Sequence, residues 1–170
     1  DRYFIEGNFG YNGSENFARG HRFGFFPAAA IGWVVSNESF MKDKTPNIEM
    51  LKLKASLGQS GNDQIGGGRR FVYLPTIVSA NGTNWGTSNT WVNGIAVGEY
   101  ANENVSWETS TKLNVGIESQ LYNSFRIQVD YFREKRDGIF VQRKSIPDYV
   151  GVTTMPWSNV GKMKNQGVDA

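Results

Sequence analysis

Six side chains between positions 84 and 100 have the right types to recognise a ligand: Trp85, Trp91 and Tyr100, with Asn84, Asn89 and Asn93 close by in the chain. Aromatic faces stack on the apolar faces of sugar rings, and carboxamides bond hydroxyls. Flat apolar bodies with a few polar handles make a typical ligand site. The competing reading is that these aromatics pack their own loop or a covering partner. Tyr3, Trp33 and Tyr131 read instead as belt residues of a membrane–water interface.

Bond chemistry finds little support. His21 is the only histidine and there is no cysteine, so no second soft or imidazole ligand completes a metal or thiol site. Glu108 and Glu118 share a parity, but ten residues of strand separate them by roughly 33 Å, too far for an acid–base pair. Gly66-Gly67-Gly68-Arg69-Arg70 lacks the Lys-Ser/Thr and the strand–helix context of a phosphate cradle. It reads as the start of a flexible loop. The Asn-Xaa-Ser/Thr triplets at Asn12, Asn37, Asn81 and Asn104 read as coincidence in an Asn-rich chain. No enzyme, catalytic residue, metal or cofactor is expected.

The elements that hold these residues are strands. From Asn104 to Leu121 every second residue is polar, except at Gly116, and the interleaved set includes Val105, Trp107, Leu113, Val115, Ile117 and Leu121. A period of two gives a strand with one wet and one greasy face, whereas a helix would scatter Leu113, Val115 and Ile117. Ordinary strands run roughly 5–6 residues, and a tilted bilayer-spanning strand needs about 9–11. Length therefore points to a membrane barrel.

Five more strands are expected. They are Arg2–Tyr11, with Phe4 breaking the polar face; Phe25–Val35; Met50–Gly58; one that follows the Tyr122–Ser124 turn and continues to about Gln142; and one starting near Asn159. On the fifth strand, Ile127, Val129 and Tyr131 oppose Arg126, Gln128 and Asp130. Beyond Tyr131 the greasy parity acquires Arg133 and Lys135, so the strand should leave lipid there. The connections alternate in length: Asn12–Gly24, Ser36–Glu49 with a turn or single helical turn at Ser36–Met41, an irregular Gln59–Glu103, a tight Tyr122–Ser124, and Arg143–Ser158. Barrels of the outer membrane have short periplasmic turns and long outer loops. The first, third and fifth connections are thus expected outside. Both termini read as cut, with a strand just beginning at Ala170.

Bulk properties agree. The chain has 170 residues, a net charge of +2 with interspersed signs, 14% aromatics and 20 glycines. That balance gives no case for nucleic-acid binding. A mean hydropathy of -0.45 looks soluble, but a barrel wall presents only alternate residues to lipid. Phe25–Val35, the longest apolar run, is too short for a spanning helix and contains Pro27 and Gly32.

Several stretches resemble the SusC/RagA family of TonB-dependent outer-membrane transporters. They are Asn12-Gly13-Ser14 through Phe17, Phe26-Pro27-Ala28-Ala29-Ala30-Ile31-Gly32-Trp33, Leu51 through Asn62, Trp107 through Gly116, Asp130-Tyr131-Phe132, and Asn159-Val160-Gly161 through Asp169. The blocks keep the family's order and cover most of the chain outside the longest loop. The resemblance implies an all-β fold: about six antiparallel strands from a 22-stranded transmembrane barrel, with residues 1–170 in the C-terminal barrel domain and the plug outside this chain. It also implies a SusD-like surface lipoprotein, energy from TonB–ExbB–ExbD through an N-terminal region, and import of oligosaccharides or peptides across the bacterial outer membrane. Two rivals stand beside it: a soluble carbohydrate-binding β-sandwich, and an outer-membrane barrel of another kind, such as an adhesin or translocator.

Overall fold

Side-chain alternation along the chain translates into long paired strands. The computed structural model describes residues 1–42, 48–122, 124–143 and 155–170. Its strands are β1 (Tyr3–Gly13), β2 (Phe23–Val34), β3 (Ile48–Asn62), β4 (Ile77–Trp85), β5 (Thr90–Val97), β6 (Glu108–Leu121), β7 (Phe125–Gln142) and β8 (Trp157–Asp169). Six of them form one antiparallel sheet in the order β1-β2-β3-β6-β7-β8, and β4 and β5 form a separate hairpin. Between β2 and β3 lie a 3-10 turn at Val35–Asn37 and a one-turn helix, α1 (Ser39–Lys42). Strands of the main sheet run from 11 to 18 residues, long enough to cross a bilayer.

Boundaries differ from the sequence expectation in instructive places. The first loop shrinks to residues 14–22, because β1 and β2 keep pairing as far as Gly13 and Phe23, with the Tyr11 and Phe23 rings stacked at 5.2 Å. The segment expected to be irregular from Gln59 contains the end of β3 and the whole β4–β5 hairpin. Residues 104–107 alternate but are not strand. Val105 is 1% exposed beneath the loops, and Trp107 packs on Phe26 and Phe17, so their parity reflects a loop core. Of the segment expected as the last loop, residues 144–154 lie outside the described residues, and β8 starts at Trp157.

Register fixes the two faces. One row joins Ile5, Ile31, Ala55, Val115, Tyr131 and Val168, and the next joins Tyr3, Trp33, Leu53, Ile117 and Val129. Among the described residues no second layer covers them: Val115, Ile117, Ile127 and Val129 are 45%, 48%, 51% and 39% exposed. Water-soluble monomers rarely expose a contiguous apolar face that spans several strands. The buried cluster of Phe17, Ile65, Val72, Val105 and Phe140 sits at the loop end of the sheet, where Trp107 and Trp157 pack against it.

The edge of the apolar face is oblique. At the short-turn end it stops at the Tyr3–Trp33 pair on β1–β2, but on β6–β7 it continues four residues past Val129 to the Leu121–Phe125 pair. Four residues advance about 13 Å along a strand, and the three intervening strand spacings span about 14 Å, which sets the edge at roughly 40° to the rows. Strands of membrane barrels tilt by about 35–45°. An apolar band cut at that angle becomes level once the sheet is tilted into a barrel wall.

Candidate functional site

The opposite face is polar and cross-linked. Lys54, Gly116 and Asp130 share a row, with Glu118 beside them on β6. Lys54 Nζ lies 2.9 Å from Glu118 Oε1 and 3.0 Å from Asp130 Oδ1, spanning three strands. Glycine at 116 makes this possible, since a Cβ there would run into the Asp130 carboxylate and the Lys54 stem. Gln128 donates to Asp130 at 2.6 Å. Towards the loops, Ser110 Oγ and Arg136 Nε donate to Glu134 at 2.7 and 2.8 Å. Towards the turns, Gln120 donates to Glu49 at 3.0 Å. The face hollows into a concavity of about 890 Å³, lined by residues that include Glu6, Lys52, Lys54, Ser56, Asn114 and Asp130. Such a surface can hydrate, hold and pass polar solutes.

Each end of the wall is secured. At the loop end the Phe26 ring fills the space over Gly24 and Gly61, and Trp107 meets it edge-on at 5.2 Å. Trp107 Nε1 also donates to the Arg22 carbonyl at 3.1 Å, which ties the segment before β6 to the end of the 14–22 loop. Asn159 joins the 102–107 segment to the sheet. Its Nδ2 donates to the Ser106 and Gly138 carbonyls at 2.8 and 2.7 Å, while its Oδ1 accepts from Ser106 N at 3.1 Å. Gly138, at φ 73, forms a bulge in β7.

At the turn end Glu38 is the hub. It accepts from Tyr3 Oη at 2.6 Å, Trp33 Nε1 at 3.1 Å and Arg2 Nη1 at 3.3 Å. The Tyr3 bond, then the Trp33 bond, hold its carboxyl below the usual glutamate range, with the Arg2 charge assisting. Tyr3 and Trp33, expected in an interfacial belt, stack at 6.3 Å and turn their polar tips to this carboxylate.

The six expected ligand contacts separate. In the β4–β5 register Asn84 faces Trp91, and Trp85 faces Thr90 on the other side of the ribbon. Trp91 Nε1 donates to Asn93 Oδ1 at 2.9 Å, so Trp91, Asn93 and Asn84 form one exposed patch. Trp85 stands on the reverse face, 65% exposed. Asn89 lies in the turn at φ 49, a left-handed conformation that Asn tolerates. Tyr100 lies past the hairpin, beside a narrow cleft with Val72 and Trp157. The hairpin base is tied by Gly98 N to Thr76 O at 2.8 Å and by Arg69 to Glu99 at 3.0 Å, with the Arg69 guanidinium 4.3 Å from the Trp157 ring centre.

Sequence reasoning missed Glu38, Asn159 and the partners of Lys54. Only Asn159 had a signal, its place in the Asn-Val-Gly block. Among the described residues no three His, Cys, Asp or Glu side chains group as a metal site, and no helix is long and apolar enough to cross a membrane.

A family model described as "TonB dependent receptor-like, beta-barrel" matches residues 1–170. A TonB-dependent receptor of Formosa agariphila is 31% identical over 93% of this chain and 15% of the relative. The TonB-dependent receptor SusC of Bacteroides thetaiotaomicron is 30% identical over 99% of this chain and 17% of the relative. Among solved structures, the RagAB peptide importer in its closed-closed state aligns with a TM-score of 0.78 at 22% identity, covering 99% of this chain and 17% of that one. The chain thus spans about a sixth of the length of these proteins.

Proposed function

The chain belongs to the TonB-dependent receptor-like β-barrel family, and on that footing we propose that it is part of the C-terminal barrel domain of an outer-membrane nutrient importer. The apolar face meets lipid. The polar face lines the lumen or meets a plug, and the loops at 14–22 and 63–107 open to the outside. The task is binding and translocation of an oligosaccharide or a peptide, with no bond chemistry. A SusD-like surface lipoprotein covers the outer vestibule, and TonB–ExbB–ExbD energises the whole protein through its N-terminal region. Trp91, Asn84 and Asn93 contact substrate as one patch, with Trp85, Asn89 and Tyr100 contributing from other surfaces.

One observation supports this above the rest: a six-stranded sheet with an exposed apolar face and an ion-paired polar face. A soluble sandwich would need a second sheet over Val115 and Ile117. Family membership sets an adhesin or translocator aside. The likeness to SusC and to a peptide importer supports import, and leaves glycan and peptide to be separated by experiment. Deleting the gene, together with redundant copies, should abolish uptake of one labelled class of oligosaccharide or peptide. Undiminished uptake of every substrate tried would contradict import.

A further inference from the structure

Four cations gather on the lipid side of the wall, just past the apolar rows. After Tyr131 the outward positions of β7 are Arg133, Lys135 and Asp137, paired on β8 with Gln166, Lys164 and Lys162. On β6 the same rows hold Leu113, Thr111 and Thr109, so this is the face of Val115, Tyr131 and Val168. Asp137 is the only anion in these rows. It bridges Lys135 at 2.7 Å and feels the charges of Lys162 and Lys164. Among the described residues Arg133, Lys162 and Lys164 make no ion pair.

Lys135 and Lys164 stand directly opposite each other, a cross-strand pair of like charges that disfavours the sheet and that the single Asp137 carboxylate offsets only in part. Arg133 and Lys162 flank them. Lys135 lies four residues past Tyr131, which at a tilt of about 40° is roughly 10 Å further along the membrane normal. That puts the cations above hydrocarbon, at headgroup level on the loop side. Two ammonium groups and a guanidinium within one or two residues of each other suit a phosphate, to which guanidinium donates bidentately. The adjoining Tyr131, Val168 and Val115 suit acyl chains. A charged ligand meeting both surfaces is an amphiphile. We propose that the outward face of β7 and β8 binds the phosphate of a phosphorylated outer-leaflet lipid, whose chains run down the apolar rows. This rests on the importer reading only for the assignment of that face to lipid.

The test uses the full-length protein reconstituted in neutral phosphatidylcholine nanodiscs and exposed to vesicles of a diphosphorylated glycolipid or of the same lipid enzymatically dephosphorylated. Native mass spectrometry counts retained lipid. The wild type should retain the phosphorylated form and not the dephosphorylated one, and millimolar inorganic phosphate should not displace it. Lys135→Gln/Lys162→Gln/Lys164→Gln should cut retention by about tenfold or more. The corresponding triple arginine variant should restore it, and Arg126→Gln, on the opposite face of β7, should change nothing. Equal retention of the two lipid forms by the wild type overturns the proposal without recourse to any variant. Equal retention by the wild type and a glutamine variant that still shows heat-modifiable barrel migration overturns it too. In both cases the importer reading survives, whereas failure of the wild type to insert would contradict both.

Discussion

Lys54 bridges two carboxylates, Glu118 on β6 and Asp130 on β7, that are diagonal neighbours on adjoining strands. Lys54→Met should therefore destabilise the folded barrel by about 1 kcal/mol, and adding Glu118→Gln should recover part of the loss. A double-mutant cycle from urea titrations in lipid vesicles measures that coupling; independent, additive effects would contradict it. Glu38 gives a pH signature. Its folded-state pKa lies below that of the unfolded chain, so its contribution is present at neutral pH and is lost as pH falls below the ordinary glutamate range towards the depressed value. The wild type should exceed Glu38→Gln in resistance to unfolding at neutral pH, and the two should converge in acid. Parity alone placed Lys54, Glu118 and Asp130 on the wet face. Their partnership spans 64 and 76 residues, and Glu38 sits in a turn with no periodic pattern, so neither could be read in advance.

Strands were legible wherever burial on one face imposed alternation, as from Glu108 to Leu121 and from Phe125 to Gln142. The β4–β5 hairpin was not. Its residues are exposed on both sides, so no single parity marks a face: Ile77 and Ile95 on one strand each are 73% and 80% exposed. Residues 104–107 misled for the converse reason, because a loop packing into its own core copied the period of a strand. Within the hairpin, the division of the tryptophans between two faces makes a prediction. If the patch of Trp91, Asn93 and Asn84 contacts substrate, Trp91→Ala should weaken substrate binding to the full-length protein about 2–10-fold, the worth of one aromatic contact. Trp85→Ala, on the reverse face of the ribbon, should cost less in the same calorimetric titration. A larger loss from Trp85→Ala would move the site to the reverse face.

At the scale of the whole wall, one sheet separates two solvents. Val115 lies within the apolar rows and Asn114 faces away from them, paired with Ser56 and Phe132. Val115→Arg should cost about 2–4 kcal/mol of barrel stability if it faces the bilayer midplane, whereas Asn114→Arg should cost far less. The oblique edge of the apolar face and the cations beyond Tyr131 follow from the same placement: a tilted wall meets hydrocarbon over a band and headgroups above it. The most direct test places a spin label singly at each position from 111 to 119 in a cysteine-free background of the full-length protein in outer-membrane vesicles. Accessibility to oxygen and to a water-soluble nickel complex should alternate with a period of two, oxygen peaking at 113, 115 and 117 and nickel at 112, 114 and 118. Protection of 113, 115 and 117 from both reagents would mean that another protein layer covers this face, and would contradict the account.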